Sequence, residues 1–293
     1  MPTIAAYVKK AEEQGVSLSR LILEEQSAEL EKTPEELFEK MKERLQVMKE
    51  SAKEGENPEM RSASGLTGGA SAKVMERVRQ GTSLCGPSFG KAVARALAVS
   101  ECNACMGRIV AAPTAGSCGI LPAALLTVME DRECPEESAV MALFTAAGVG
   151  TVIAANATVS GAQGGCQAEV GSASAMAAAA VTEMAGGTPQ MCADACAIAL
   201  KNVLGLVCDP VAGLVEVPCV KRNAMGVVNA LAVAEMALAG VGSVIPADDV
   251  ILAMKRVGNT LPATLRETAE GGLADTPTGR KIAQRIYGQK TGE

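Results

Sequence analysis

Residues 138–168 read SAVMALFTAAGVGTVIAANATVSGAQGGCQA and contain no charged side chain. Their first part is rich in Ala and predicts a helix within residues 136–158, because Ala has the highest helix propensity. A membrane span needs about 20 predominantly apolar residues, but this stretch also carries Asn156, Gln163 and many Gly, Ser and Thr residues. We therefore expect a helix buried in a soluble core and no membrane span.

The composition of the whole chain favours a helical core. Aromatic residues make up 2% of the 293 residues and hydrophobic residues 48%, so Ala, Val, Leu, Met and Gly must fill the interior. Small side chains let helix backbones approach closely, whereas a β-sandwich would draw on Val, Ile, Tyr, Phe and Thr. After residue 58, Ala-rich helical stretches alternate with glycine-dense loops that are short of charge. The fold class that we predict is mainly α.

The uneven distribution of charge predicts a boundary near Pro58. The first 60 residues hold 23 of the 60 charged side chains. Among them, Thr33-Pro34-Glu35-Glu36 predicts a helix start, with Thr33 as the N-cap and Glu36 completing a capping box. We predict a charged helical N-terminal segment at residues 1–58. A single helical catalytic domain would follow at residues 59–293, with Gly-rich loops that converge on a buried site.

Composition and charge argue against several functional classes. The chain has no histidine, which rules out Ser-His-Asp catalysis, Cys-His catalysis and histidine-containing zinc sites within it. The net charge is -6 and no basic stripe is present, so we expect no nucleic-acid binding. The N-terminal residues show no apolar signal region. We therefore expect a cytoplasmic protein whose ten cysteines are reduced.

Three cysteines occur at Gly or Pro turns, where metal ligands are commonly held. Cys166 follows two glycines, Cys208 precedes an Asp-Pro pair, and Cys219 follows a proline. Three thiolates on a four-iron cluster would leave one iron open, by the same logic as a catalytic zinc. Context alone does not distinguish these cysteines from buried structural ones, which are the default for a free cysteine. The other seven, including the Cys102-x-x-Cys105 pair, fit a role as small buried side chains.

The spacing Cys166-x41-Cys208-x10-Cys219 resembles the cluster-binding pattern of the iron–sulfur-dependent bacterial L-serine dehydratases. Four phrases carry the resemblance in the right order, namely SGLTGG at 64–69, APTAGSCG at 112–119, GAQGGCQAEVGSA at 161–173 and CDPVAGLVEVPC at 208–219. The similarity runs from about residue 60 to residue 290. The length and the charged N-terminal segment resemble the α chain of the two-chain form.

This resemblance implies a buried [4Fe-4S] cluster on Cys166, Cys208 and Cys219. Its open iron would act as a Lewis acid on the substrate hydroxyl, so that L-serine is dehydrated to pyruvate and ammonia. It also implies a separate β chain, whose Ser-His-Thr motif would supply a histidine, so the catalytic base in this chain stays unknown. By the same resemblance the substrate would bind at Ser64, Thr67, Gly68, Pro113, Thr114, Ala115, Gly116 and Ser117.

Three other functions remain open. A cysteine desulfidase would use the same architecture and eliminate sulfide instead of water. A pyridoxal-phosphate dehydratase would need a phosphate-cradling loop, which SGLTGGASAK resembles only superficially. A non-catalytic iron–sulfur redox protein would generally use four cysteines. Lys73, Lys221 and Arg222 are the cations nearest to the motifs, and each could pair with a carboxylate or lie in solvent.

Overall fold

Thirteen α-helices form the framework of residues 1–288, the part of the chain that the computed structural model describes. In chain order they are α1 (Ile4–Gln14), α2 (Leu18–Leu30), α3 (Pro34–Glu54), α4 (Ala70–Arg79), α5 (Gly86–Ala104), α6 (Ile120–Asp131), α7 (Glu136–Asn156), α8 (Gly161–Gly164), α9 (Ser172–Met184), α10 (Pro189–Lys201), α11 (Cys219–Leu238), α12 (Ala247–Thr260) and α13 (Pro277–Tyr287). Single helical turns occur at Ala115–Ser117, Gln167–Gly171, Val211–Gly213 and Ala263–Leu265. These described residues contain no β-strand, which confirms the mainly α fold predicted from composition.

The core is built around α9, whose sequence SASAMAAAAVTEM has few large side chains. All eleven residues from Ser172 to Thr182 are buried, as expected for a helix that is apolar on every side. Its neighbours are α6, α7, α10 and α11, and the Ala side chains let these four helices approach it closely. The chain enters α9 directly from residues 166–171, so the centre of the core positions the predicted ligand Cys166.

Because α9 is packed on all sides, enlarging one of its alanines should destabilise the fold. Ala178 is fully buried, and overpacking an interior typically costs about 1–3 kcal/mol. We therefore expect Ala178→Leu to lower the melting temperature measured by circular dichroism. The matched control is Ala154→Leu on an exposed position of α7, which should change stability by less than about 0.5 kcal/mol. Equal melting temperatures for the two variants would contradict close packing around α9.

The first three helices pack on this core. α2 and α3 both contact α7, and α3 also contacts α5. α3 begins with the predicted capping box, because Glu36 N–H donates to Thr33 Oγ1 and Thr33 N–H donates to the Glu36 carboxylate. The boundary near residue 58 stays a prediction. The last five residues of the predicted 59–293 domain, 289–293, lie outside the described residues.

The uncharged stretch quoted above forms most of α7. By length and composition alone, α7 is the one helix among the described residues that could cross a membrane. It packs against α2 and α9, and 61% of its most apolar 18-residue window is buried inside the protein. This burial is what a core helix requires.

Candidate metal centre

The glycine-rich loops meet at one end of the core, and side-chain hydrogen bonds link them. Ser64 Oγ donates to Glu216 Oε1 at 2.8 Å, which ties the SGLTGG loop to the CDPVAGLVEVPC loop. Thr114 Oγ1 donates to Glu169 Oε1 at 2.7 Å, which ties the APTAGSCG loop to the segment after Cys166. Glu169 Oε2 lies 3.8 Å from the sulfur of Cys208. All four loops therefore border one site, as expected from the sequence.

The three predicted ligand cysteines reach this site from three different segments. Cys166 stands between Gly165, whose φ of 75° favours glycine, and the helical turn Gln167–Gly171. Cys208 is the first residue of the CDPVAGLVEVPC loop. Cys219 is the first residue of α11 and so begins a helix, whereas the sequence predicted a turn outside a helix. Cys166 and Cys208 are buried, and Cys219 is partly exposed.

The three thiols lie close enough to influence one another's ionisation. Burial is the largest cause, and it raises the pKa of Cys166 to about 11, that of Cys219 to about 12, and that of Cys208 as well. The charge of Cys166 further raises the pKa of the other two thiols. Metal binding requires thiolates, and a cation between them offsets this cost. The arrangement therefore suits a metal centre.

A buried cation lies beside these thiols. Arg222 donates to Asp209 Oδ1 at 2.9 Å, and its charge also acts on the thiol of Cys166. The side chain of Arg222 is 14% exposed and that of Asp209 is 4% exposed. The guanidinium charge acts to lower the pKa of Cys166 and so opposes the larger effect of burial. Of the three cations noted in the sequence, Lys73 and Lys221 are exposed, and Arg222 alone takes part in the site.

The donor set fits an iron–sulfur cluster bound by three cysteines. The backbone N–H of Val170 acts to lower the pKa of Cys166, and backbone N–H groups near the ligand sulfurs are typical of cluster sites. A β-carbon at Gly161 would lie 3.1 Å from the sulfur of Cys208 and 2.5 Å from Glu169 Oε2. Glycine at this position therefore leaves room for the thiol and the carboxylate to meet.

The residues predicted to bind substrate lie on two loops at the border of the site. The SGLTGG loop is closed by a hydrogen bond from Ser62 N–H to the Thr67 carbonyl, at 3.0 Å. The APTAGSCG loop is held to α11 by Asn223, whose amide donates to the Gly116 carbonyl at 2.8 Å. Both loops are thus anchored beside the cysteines. Their part in substrate binding stays a prediction.

The sequence analysis missed the carboxylates of this site, Glu169, Glu216 and Glu267. Glu169 is the only charged residue between Glu137 and Glu183, and Glu216 is alone in its own loop between Asp209 and Lys221. A lone carboxylate in an uncharged, glycine-rich stretch was the available signal, because a buried charge is costly unless it has partners. Burial does raise the pKa of Glu169. Glu267 gave no comparable signal, because its surroundings are charged.

The structural role of the Cys102-x-x-Cys105 pair stays a prediction. Burial, together with the charge of Glu54, raises the pKa of Cys102 to about 12, much as burial raises the pKa of the three predicted ligand thiols. Within residues 1–288, the one set of three ligand atoms within 4.8 Å of one another belongs to Glu169, Cys208 and Glu267. This set does not include the pair, nor does it include Cys166 or Cys219.

The chain is similar in sequence to a known protein family and to several named proteins. The sequence model of the family described as serine dehydratase alpha chain matches residues 13–274. A probable L-serine dehydratase, alpha chain, of Bacillus subtilis is 52% identical over 99% of this chain and 96% of its own length. The L-serine dehydratase, alpha chain, of Peptoniphilus asaccharolyticus is 45% identical over 96% of each chain. The L-serine dehydratase TdcG of Escherichia coli is 46% identical over 61% of this chain and 40% of its own length.

Proposed function

This chain belongs to the serine dehydratase alpha chain family, and we propose that it is the α chain of an L-serine dehydratase, a lyase that forms pyruvate and ammonia. The observation that carries the proposal is the convergence of Cys166, Cys208 and Cys219 beside two anchored loops, in a chain of this family. The free thiols suit a reducing, cytoplasmic location, which we also propose.

We propose that Cys166, Cys208 and Cys219 hold a [4Fe-4S] cluster. When bound, this group would supply an iron without a cysteine ligand, a Lewis acid that stabilises hydroxide as a leaving group. Arg222 offsets part of the negative charge of the thiolates, since its charge acts on Cys166 from a largely buried position. The N–H of Val170 stabilises the same sulfur. These two groups thereby offset part of the cost that burial imposes on ionising the thiol of Cys166.

We propose that L-serine binds on the two anchored loops, at Ser64, Thr67, Gly68 and residues 113–117. The hydroxyls of Ser64 and Thr114 hold the carboxylates of Glu216 and Glu169 in place, and fixed negative charges suit the ammonium group of an amino acid. Loop N–H groups suit its carboxylate, which needs donors without bulk. Removal of the Cα proton needs a base, and this chain has no histidine. We propose that a β chain supplies that base.

Metal analysis combined with a pyruvate assay tests this function. After anaerobic purification we expect about four irons and four sulfides per chain, consistent with one [4Fe-4S] cluster. Pyruvate should form from L-serine only when the β chain is added, because each chain holds part of the site. Absence of iron and sulfide after reconstitution would remove the cofactor proposal. Faster release of pyruvate from L-cysteine than from L-serine would favour the desulfidase alternative.

A further inference from the structure

A second group of potential metal ligands shares Cys208 with the proposed cluster. The sulfur of Cys208 and one carboxylate oxygen from each of Glu169 and Glu267 all lie within 4.8 Å of one another. Ligand atoms lie about 2.0–2.3 Å from a zinc-type ion, so two ligands of one ion are separated by less than about 4.5 Å. The distance of 3.8 Å between Cys208 Sγ and Glu169 Oε2 satisfies this condition. The two distances to the Glu267 carboxylate are within 4.8 Å, close to the same limit.

The backbone holds Glu267 beside Cys208. Cys208 N–H donates to the Leu265 carbonyl at 2.9 Å, and Glu267 N–H donates to the Cys208 carbonyl at 2.7 Å. These two bonds form the isolated bridge that joins Cys208 to Arg266. Glu267 also has a φ of 64°, a backbone conformation that residues other than glycine rarely adopt. The carboxylate is therefore brought to the thiol by a fixed backbone.

Glu169 is held beside the same thiol by a different segment of the chain. Thr114 Oγ1 donates to its Oε1 atom at 2.7 Å, and its Oε2 atom contacts Cys208. Cys208 itself is 3% exposed. One fixed carboxylate, one buried thiol and one carboxylate from the surface loop thus converge from three segments of the chain.

We propose that the chain without a cluster binds one divalent cation of the zinc, cobalt or iron(II) class at Cys208, Glu169 and Glu267. One thiolate and two carboxylates suit such borderline ions, and water would complete the coordination. The Cys208 proton passes to the buffer as the ion binds. Because Cys208 also belongs to the proposed cluster site, the ion and the cluster exclude each other. This last step rests on the proposed function, whereas binding of the cation does not.

Titration of the full chain with cobalt(II) tests the site, because thiolate coordination gives an intense near-ultraviolet charge-transfer band. We expect the band to saturate at about one equivalent and to disappear in Cys208→Ser. Glu169→Gln and Glu267→Gln should each weaken binding by at least about tenfold, since loss of even an outer-shell partner costs that much. Glu270→Gln is the matched control. It removes the same charge from an exposed position of the same loop and should bind cobalt like the wild type.

Two variants separate this site from the cluster. Cys166→Ala removes a proposed cluster ligand but no cation ligand, so it should keep the cobalt band and fail to assemble a cluster. Glu267→Gln should lose cobalt affinity and still assemble iron and sulfide. Absence of the band in the wild type, or equal titrations of Glu267→Gln and the wild type, would overturn the cation site and leave the proposed function standing. A chain that binds cobalt but never assembles a cluster would support the cation site and overturn the proposed cluster.

Discussion

Cys166→Ala should purify with iron and acid-labile sulfide near background and should form pyruvate from L-serine more than about a hundredfold more slowly, with the β chain present. Cys166 is 4% exposed and is the thiol whose pKa both Arg222 and the Val170 N–H act to lower. Its removal leaves two thiols for a cluster that needs three. The site would also keep a guanidinium without its thiolate. Iron and sulfide analysis of anaerobically purified protein, followed by the pyruvate assay, measures both losses.

The matched control for this variant is Cys192→Ala. Cys192 is also buried and free, but it lies in α10, on a helix that carries none of the proposed ligands. Cys192→Ala and Cys166→Ala each remove one buried sulfur atom, so any general loss of stability should be similar in the two variants. Cys192→Ala should retain iron and activity. Equal iron content in the two variants would contradict the assignment of Cys166 as a ligand.

Local patterns made the helices predictable. The capping box at Thr33 and Glu36 acts within four residues, and the structure contains both of its hydrogen bonds. The Ala-rich sequence of α9 is enough to predict a buried helix, because small side chains on every face suit the centre of a helical core. Cys219 shows the limit of such patterns. Its preceding proline indicated a turn, but proline is also well tolerated next to a helix start, and α11 begins at Cys219.

Partners that are far apart in sequence were not predictable in the same way. Glu267 reaches Cys208 only through the bridge between their two segments, and no local pattern encodes that pairing. The ion pair of Arg222 with Asp209 depends on α11 crossing the loop that precedes it. The ligand cysteines were found because turn context and spacing supplied a signal. The groups that tune these thiols needed the three-dimensional structure.

Arg222→Met should destabilise the chain by about 3–5 kcal/mol, because it leaves the carboxylate of Asp209 buried without its cation. The two side chains are 14% and 4% exposed, so solvent screens the pair only weakly. Met replaces much of the apolar volume of Arg, and the change therefore reports mainly on charge and hydrogen bonds. Asp209 keeps one bond, from the Leu273 N–H at 2.9 Å, which places the expected loss toward the lower end of the range. Denaturant unfolding of the full chain measures it.

Lys221→Met is the control that isolates the buried pair. It removes one positive charge from the neighbouring position, but Lys221 is exposed, so its loss should cost less than about 0.5 kcal/mol. Combining Arg222→Met with Asp209→Asn should recover part of the lost stability, because no charge then remains buried without a partner. If Arg222→Met proved as mild as Lys221→Met, the pair would contribute no net stability. The guanidinium would then serve the thiolate of Cys166 alone, and its loss should appear as reduced iron content instead.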